Sequence, residues 1–149
     1  MELITREDLE EVLQFWESTS GLDRLLGDDI NSLEVFLEKN PKTSFLIRQE
    51  EKIIGTVLGG FDGRRGYIYH LGVDPDHRGN GYGAALLERV VAALAEAGAA
   101  KIHLYVYQDN QEAIRFYHHL GWQWREELRM MSWNIQPEEE AGQGLEERG

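Results

Sequence analysis

Apolar side chains in the first forty residues recur every three or four positions, which is the spacing of amphipathic helices. Two helices are predicted, one ending near Ser18 and the other before Asn40–Pro41. Their apolar positions are Leu9, Val12, Leu13 and Trp16 in the first helix and Leu33, Phe36 and Leu37 in the second. Residues 1–4 predict a short strand, and the polar, glycine-containing residues 20–29 predict a loop between the helices.

A pair of polar residues at capping spacing accompanies each predicted helix. Thr5 and Asp8 have the spacing of a capping box, in which two side chains satisfy free N–H groups at a helix start. Asn31 and Glu34 repeat that spacing, which predicts the start of the second helix there.

Between residues 44 and 73 the pattern changes to short runs of apolar and β-branched residues. Three strands are predicted, at Ser44–Gln49, Ile53–Phe61 and Tyr67–Val73. Asp62–Gly66 contains Asp-Gly, which is typical of a hairpin turn. The three strands are therefore predicted to form an antiparallel meander.

The rest of the chain alternates between helix and strand patterns. The predicted elements are a helix ending at Gly98, a strand at 101–107, a helix from Asp109 or Asn110 to Gly121, and strands at about 122–125 and 128–135. The order β-α-α-β-β-β-α-β-α-β-β predicts an α+β (mixed α/β) fold, with a central mixed, mostly antiparallel sheet flanked by helices. We predict one domain over residues 1–136 and an acidic, disordered tail over 137–149.

Composition narrows the possible classes of protein. The 149 residues are 42% hydrophobic, which suffices for one core. Fifteen basic against 27 acidic residues give a net charge of −12, so neither a nucleic-acid partner nor an anionic membrane is expected. The absence of cysteine excludes disulfides, thiolate metal ligands and a covalent cysteine mechanism. With no secretory signal and no membrane-spanning apolar run, a soluble cytoplasmic protein is expected.

The segment Leu71–Leu87, LGVDPDHRGNGYGAALL, places a glycine-rich turn between a predicted strand and a predicted helix. Glycines allow positive φ and close approach of a ligand, and free N–H groups at a helix start attract anions. Because Arg78 adds a positive charge, the segment predicts a phosphate or diphosphate cradle. The structural alternative is a tight packing turn.

Two nucleotide-binding motifs fit this segment poorly. No Gly-Lys-Ser/Thr follows the glycines, which excludes a P-loop. Gly79, Gly81 and Ala84 satisfy the dinucleotide pattern G-x-G-x-x-A, but the acid that holds a ribose about 20 residues further on is missing.

The fuller pattern, Arg78-x-x-Gly81-x-Gly83 between an apolar strand and a helix, resembles the acetyl-CoA-binding motif of the GNAT superfamily of N-acetyltransferases. QDNQEAIRFYHHLGW, residues 108–122, resembles that family's fifth-strand exit and following helix. The resemblance covers roughly residues 3–135, and GGFDGRRG at 59–66 is similar to the YpeA type within the family.

The resemblance implies a cofactor site for acetyl-CoA. No metal is expected, because no His or acid cluster has metal-ligand spacing. The backbone of the strand residues Leu71, Gly72 and Val73 would form hydrogen bonds to pantetheine and polarise the thioester carbonyl. The side-chain amide of Asn110 would contact the cofactor. The N–H groups that would hold the diphosphate belong to Arg78, Gly79, Asn80, Gly81, Tyr82, Gly83 and Ala84.

Tyr117 matches the family's usual general acid, which would protonate the leaving thiolate; its spacing alone also suits a core aromatic residue. No base is identified, because the positions where family members often carry Glu hold Tyr67 and Tyr105. We predict an acceptor pocket lined by Tyr67, Tyr69, His70, Tyr105 and Tyr107. The alternative interpretation is that the tyrosines only pack on the sheet and that His70 has a structural role.

The implied activity is direct transfer of acetyl from acetyl-CoA to a primary amine, of a small molecule or a protein, in a ternary complex. A non-catalytic acyl-CoA-binding sensor or regulatory module is the alternative, since the base is missing. A nicotinamide-dependent enzyme would use the same glycines. The acceptor stays open, and the protein is expected to be a monomer or a homodimer.

Overall fold

Residues 1–136, the part of the chain that the computed structural model describes, form nine regular elements besides two short 3-10 turns. The strands are β1 (Glu2–Leu3), β2 (Phe45–Gln49), β3 (Lys52–Phe61), β4 (Gly66–Val73) and β5 (Ile102–Leu104). The helices are α1 (Leu9–Ser18), α2 (Ile30–Lys39), α3 (Tyr82–Ala97) and α4 (Gln111–His119). The chain divides into two compact units, Met1–Leu104 and the part from Tyr105 onward. The predicted tail at 137–149 lies outside the described residues.

The strands form one sheet in the order β1-β2-β3-β4-β5. Neighbours from β1 to β4 are antiparallel, and β4 and β5 are parallel. A long connection through α3 is what a parallel pair requires, whereas β3 and β4 are joined by a short turn. The predicted fold class, a mixed and mostly antiparallel sheet with helices, is confirmed.

Helix α3 packs closely against the sheet because three glycines lie beneath it. A Cβ added at Gly59 would come within 2.7 Å of Val90, and one at Gly55 or Gly66 would come within 3.0 Å of a leucine of α3. Leu86, Val90 and Leu94 of the helix are fully buried as a result. A separate buried cluster joins α1 and α2 to the sheet; its members include Leu9, Val12, Trp16, Leu33, Leu46 and Leu58.

The predicted start of the second helix is wrong. Asp29, not Asn31, is the N-cap residue: its backbone is extended, and its carboxylate accepts the Ser32 N–H at 3.1 Å. Hydrogen bonds from the Ser32 hydroxyl and N–H lower the pKa of Asp29. The capping box at Thr5 and Asp8 is present, with the Thr5 N–H donating to Asp8 Oδ2 at 2.9 Å.

The two strands predicted after α4 are also wrong, because the described residues there form only turns and irregular backbone. Their alternating apolar side chains face solvent, with Met131 95% and Trp133 87% exposed. The predicted strand 101–107 is shortened in the same way, since β5 ends at Leu104. An alternating pattern supplies β propensity, but a strand also needs a neighbour to accept its hydrogen bonds.

Candidate active site

Strand β4 carries a bulge at His70 and Leu71. Tyr69 lies opposite Leu58 and Gly72 opposite Thr56, so two residues of β4 face one residue of β3. His70 has φ of +49°, a left-handed conformation that is uncommon for a residue with a side chain. Bulges re-aim side chains and backbone groups and recur beside active sites.

Beyond Ile68, one edge of β4 is open: no strand of the described residues pairs with it there. The pairing of β4 with β5 covers Gly66, Tyr67 and Ile68 and stops there, although β4 continues to Val73. The Asp74 N–H donates to the Ile54 carbonyl of β3 at 2.7 Å. Because successive residues of a strand alternate in direction, the Val73 N–H points to the open edge. The His70 carbonyl accepts the Thr56 hydroxyl of β3, so the Leu71 N–H of the same peptide points the other way, away from β3.

Gly72 belongs to the other set of residues in that alternation. It lies opposite Thr56, so its backbone groups face β3. A Cβ on Gly72 would lie 2.8 Å from Leu22 Cδ2 and closer still to Cδ1. A glycine at position 72 is therefore explained by its close packing against Leu22, in the loop after α1. The open edge of β4 is formed by Leu71 and Val73.

The glycine-rich turn leaves the start of α3 uncapped. Gly79 and Gly81 both have φ of +82°, and an added Cβ at either position would meet no described atom within 4 Å. Gly81 is the N-cap residue, and no side chain of residues 1–136 accepts a hydrogen bond from the first N–H groups of the helix. The first helical bond is that of Ala85 N–H to the Gly81 carbonyl, so the N–H groups of Tyr82, Gly83 and Ala84 precede it.

Two side chains of the turn have local partners. Arg78 Nε donates to the Val73 carbonyl at 3.0 Å, which ties the guanidinium to the end of β4. The Asn80 amide donates to the His77 carbonyl at 3.1 Å. The Arg78 N–H makes a long bond of 3.4 Å to the Pro75 carbonyl, so the run of available N–H groups begins at Gly79.

These features fit a diphosphate. The positive end of the helix dipole and the N–H groups of its first turn lie at this glycine-rich turn, and Arg78 of the same turn adds a positive charge. The open edge of β4 ends where this turn begins. Donors on both elements are thus prearranged for an extended ligand with an anionic group at one end.

The second unit, taken by itself, contains Asn110 and Tyr117. Asn110 is the N-cap residue of α4, and its Oδ1 accepts the Ala113 N–H at 3.1 Å, which leaves the amide NH2 as donor. After α4, Gly121 has φ of +95°; its N–H donates to the His118 carbonyl, and the Trp122 N–H to that of Tyr117. This is a Schellman motif, in which Trp122 packs against Tyr117 with ring centroids 6.1 Å apart.

Tyr117 lies between two aromatic neighbours, Phe116 and Trp122. Burial raises the pKa of Tyr117 to about 12. The phenol therefore stays protonated throughout the neutral range and keeps its O–H as a hydrogen-bond donor.

The tyrosines predicted to line an acceptor pocket have several surroundings. Tyr69 packs edge-on against Phe36 of α2, and Tyr67 lies 5.8 Å from the ring of His103. In the second unit Tyr105 is mostly exposed and Tyr107 is half-buried. The ring of His70 stacks on Trp16 at 3.8 Å between centroids, and its Nε2 lies within hydrogen-bond distance of Asp28.

Asp28 is a residue that the sequence pattern did not indicate. It lies in the loop before α2, 42 positions from His70, and its Oδ2 is 2.8 Å from His70 Nε2. An isolated aspartate in a polar loop has no spacing relative to a strand histidine, so only the folded chain brings the pair together.

A cavity of about 540 Å³ lies elsewhere, along α1, between charged side chains that include Arg6, Glu10 and Arg24. None of the predicted site residues lines it. Within residues 1–136, no cluster of His, Asp or Glu side chains is placed to hold a metal ion. No helix in this range combines the length and the apolar character that crossing a bilayer requires.

Comparison with known proteins identifies relatives over most of the chain. The model of the family described as Acetyltransferase (GNAT) family matches residues 6–122. An acetyltransferase of Yersinia pestis (strain Pestoides F) is 33% identical over 128 residues, 86% of this chain and 90% of that protein. One of Pectobacterium atrosepticum is 36% identical over 121 residues, 81% and 85% of the two chains.

The fold is likewise similar to that of a solved acetyltransferase. The PaiA N-acetyltransferase from Thermoplasma acidophilum, solved in complex with coenzyme A, superimposes with a TM-score of 0.69 at 15% identity, over 82% of this chain and 87% of that one. Fold and relatives together define an acyltransferase.

The chain belongs to the GNAT family of acetyltransferases. It is thus an acetyl-CoA-dependent N-acetyltransferase by class. The family resemblance predicted from the glycine turn and from residues 108–122 is confirmed, and the YpeA type stays a prediction.

Proposed function

We propose that this protein transfers the acetyl group of acetyl-CoA directly to a primary amine in a ternary complex. The observation that carries the proposal is the combination of two prearranged sets of donors on consecutive elements. One is the open edge of β4, with Leu71 and Val73, and the other is the uncapped start of α3. Acetyl-CoA supplies an activated thioester and a diphosphate that such donors suit.

The N–H groups from Gly79 to Ala84 hold the diphosphate, and Arg78 contributes its charge. Leu71 and Val73 offer backbone N–H groups to the pantetheine arm and to the thioester carbonyl. Donors that are fixed before the reaction stabilise the charge that develops on that oxygen without reorganisation. The bulge holds Leu71 in place for this purpose. By the family motif, the Asn110 amide is a further contact to the cofactor.

Tyr117 assists the leaving sulfur, a role that rests on the family motif around it. A phenol with a pKa of about 12 is a weaker acid than a thiol with a pKa of about 8.5, so complete proton transfer to a thiolate is uphill. Tyr117 therefore acts chiefly as a hydrogen-bond donor that stabilises the thiolate as the bond to sulfur breaks.

The acceptor is a primary amine of a small molecule or of a protein. The net charge of −12 favours an acceptor that carries a positive charge. Direct transfer agrees with the absence of cysteine from the chain, since no thiol is available to carry the acetyl group between the two substrates.

The experiment has two parts. Thermal melting with coenzyme A, acetyl-CoA and NAD tests the cofactor: a ligand at 100 times its dissociation constant adds about 2.7 kcal/mol of stability. Release of free thiol from acetyl-CoA is then followed with a panel of polyamines, amino acids and N-terminal peptides. We expect stabilisation by the two coenzyme A forms and amine-dependent thiol release. Stabilisation without release for any amine would favour a non-catalytic acyl-CoA sensor.

A further inference from the structure

The ring of His70 is packed against Trp16, and its carbonyl is bound by Thr56. Its ring lies flat on the indole of Trp16, with centroids 3.8 Å apart and planes inclined by 11°. Its carbonyl accepts the Thr56 hydroxyl at 3.0 Å, and the same hydroxyl accepts Trp16 Nε1 at 3.0 Å. The left-handed φ of +49° costs conformational free energy for a residue with a side chain such as His70. Strained residues of this kind cluster at functional sites.

Asp28 determines which ring nitrogen of His70 carries the proton. Asp28 Oδ2 accepts the Leu25 N–H at 2.9 Å and lies 2.8 Å from His70 Nε2. An ionised carboxylate oxygen can only accept hydrogen bonds. His70 Nε2 therefore carries a proton and donates it in a hydrogen bond to Asp28 Oδ2. In the neutral ring Nδ1 then carries the lone pair and is the basic atom.

The lone pair of Nδ1 is available. Among residues 1–136, the only hydrogen-bond partner of the His70 ring is Asp28, on the Nε2 side. No fully buried side-chain nitrogen or oxygen in that range lacks a partner, so Nδ1, which has none, is not fully buried. The side chains of His70 and Asp28 are otherwise only 9% and 13% exposed, which protects the bond between them from competing water.

The bulge also contains Leu71, one of the residues proposed to bind the thioester. His70 is the residue before Leu71, whose N–H points to the open edge of β4. The other charged groups at this place are Arg24, whose Nε donates to the Asp28 carbonyl at 3.1 Å, and Glu17, which pairs with Arg24 at 2.9 Å. Neither replaces Asp28 as the partner of the ring.

We propose that His70 is the general base of the transfer and that Asp28 is its positioning residue. The inference rests on the proposed function. The ammonium nitrogen of the acceptor loses two protons: the first passes to His70 Nδ1 and on to solvent, and the second ends on the released thiol. The freed electron pair of nitrogen forms the C–N bond, and the electron pair of the C–S bond leaves with sulfur.

His70→Gln is the discriminating variant. Its amide nitrogen can replace Nε2 as the donor to Asp28, but glutamine has no basic atom. We expect coenzyme A to stabilise the variant as it does the wild type, while turnover with an alkylamine falls about 100-fold or more. The loss should shrink with an amine that is already neutral at the assay pH, because that amine needs no first proton removal. His119→Gln, an exposed histidine on α4, is the matched control and should retain wild-type turnover.

A measurement on the free protein provides a readout other than activity. The ring nitrogen shifts of His70, assigned by NMR from the spectrum of His70→Gln, should show the neutral ring protonated at Nε2. Asp28→Asn keeps an acceptor oxygen but removes the charge that stabilises the protonated ring, so its turnover should fall while coenzyme A binding persists.

The possible failures are distinct. If the wild type transfers acetyl and His70→Gln is as active, or loses activity equally with every amine, His70 is only a structural link between β4 and the loop before α2. A neutral ring protonated at Nδ1 would also overturn the proposal. If the wild type acetylates no amine, the proposed function fails and the inference fails with it.

Discussion

Trp16 donates a hydrogen bond from Nε1 to the hydroxyl of Thr56 at 3.0 Å, and both side chains are completely buried. The same hydroxyl donates to the carbonyl of His70, so one side chain of β3 connects α1 to the bulge of β4. A buried donor that loses its partner is costly, because water cannot replace the bond. The geometry of the bulge therefore depends on Thr56.

Thr56→Val should destabilise the fold by about 1–3 kcal/mol, since it leaves the indole N–H and the His70 carbonyl without this partner. Urea unfolding measures the change. Thr56→Ser is the control, because it keeps the hydroxyl and loses only a methyl group. Equal stability of the valine variant and the wild type would show that the hydroxyl does not support the bulge.

Gly72→Ala should destabilise the protein through its contact with Leu22. The added Cβ would overlap Leu22, which is itself buried, and overpacking of this kind costs about 1–3 kcal/mol. Leu22→Ala removes the obstacle, so the double variant should be more stable than the sum of the two single changes predicts. Strictly additive free energies of unfolding would mean that another neighbour opposes the methyl group.

Gly81→Asp should weaken binding of coenzyme A by about tenfold or more, because it places a carboxylate where the diphosphate is expected. Calorimetric titration measures the dissociation constant. Gly81→Asn has the same shape and backbone strain without the charge, and should bind more tightly than the aspartate variant. Gly63→Asp repeats the substitution at another open glycine with positive φ, in the turn before β4, and should bind as the wild type does.

Tyr117→Phe should leave the affinity for coenzyme A nearly intact and lower turnover by about 10²–10³-fold, the range for loss of one hydrogen-bond donor that stabilises developing charge. Steady-state kinetics with saturating acetyl-CoA would show the effect in kcat. Unchanged kcat would remove Tyr117 from the mechanism and leave it as an aromatic that packs on Trp122.

The titration of Tyr117 can also be followed directly. Its pKa is about 12 in the folded protein against a reference of 10.0, so between these values the unfolded chain releases the proton first. Stability linked to Tyr117 is therefore intact below pH 10 and decreases as pH rises toward 12. The difference in phenolate absorbance between wild type and Tyr117→Phe should show one tyrosine titrating late; a midpoint near 10 would contradict the burial.

Helix ends were predicted well where the determining contacts are local. Gly98 and Gly121 end α3 and α4, and Asn110 caps α4, as the spacing indicates. The start of α2 was misassigned because Asp29 and Asn31 are both good capping residues and the sequence does not say which backbone is extended. The strands expected after α4 had a correct alternating pattern, but a strand exists only when another strand accepts its hydrogen bonds.

Local patterns in the sequence were sufficient to predict the order of helices and strands through β5, the glycine turn before α3 and the family to which they point, because periodicity, caps and glycine conformations act within a few residues. The bulge at His70, the open edge of β4 and the bond between Asp28 and His70 became visible only in the folded chain. Those features depend on strand register and on a loop that meets β4 from 42 positions away, and a spacing along the chain carries no information about either.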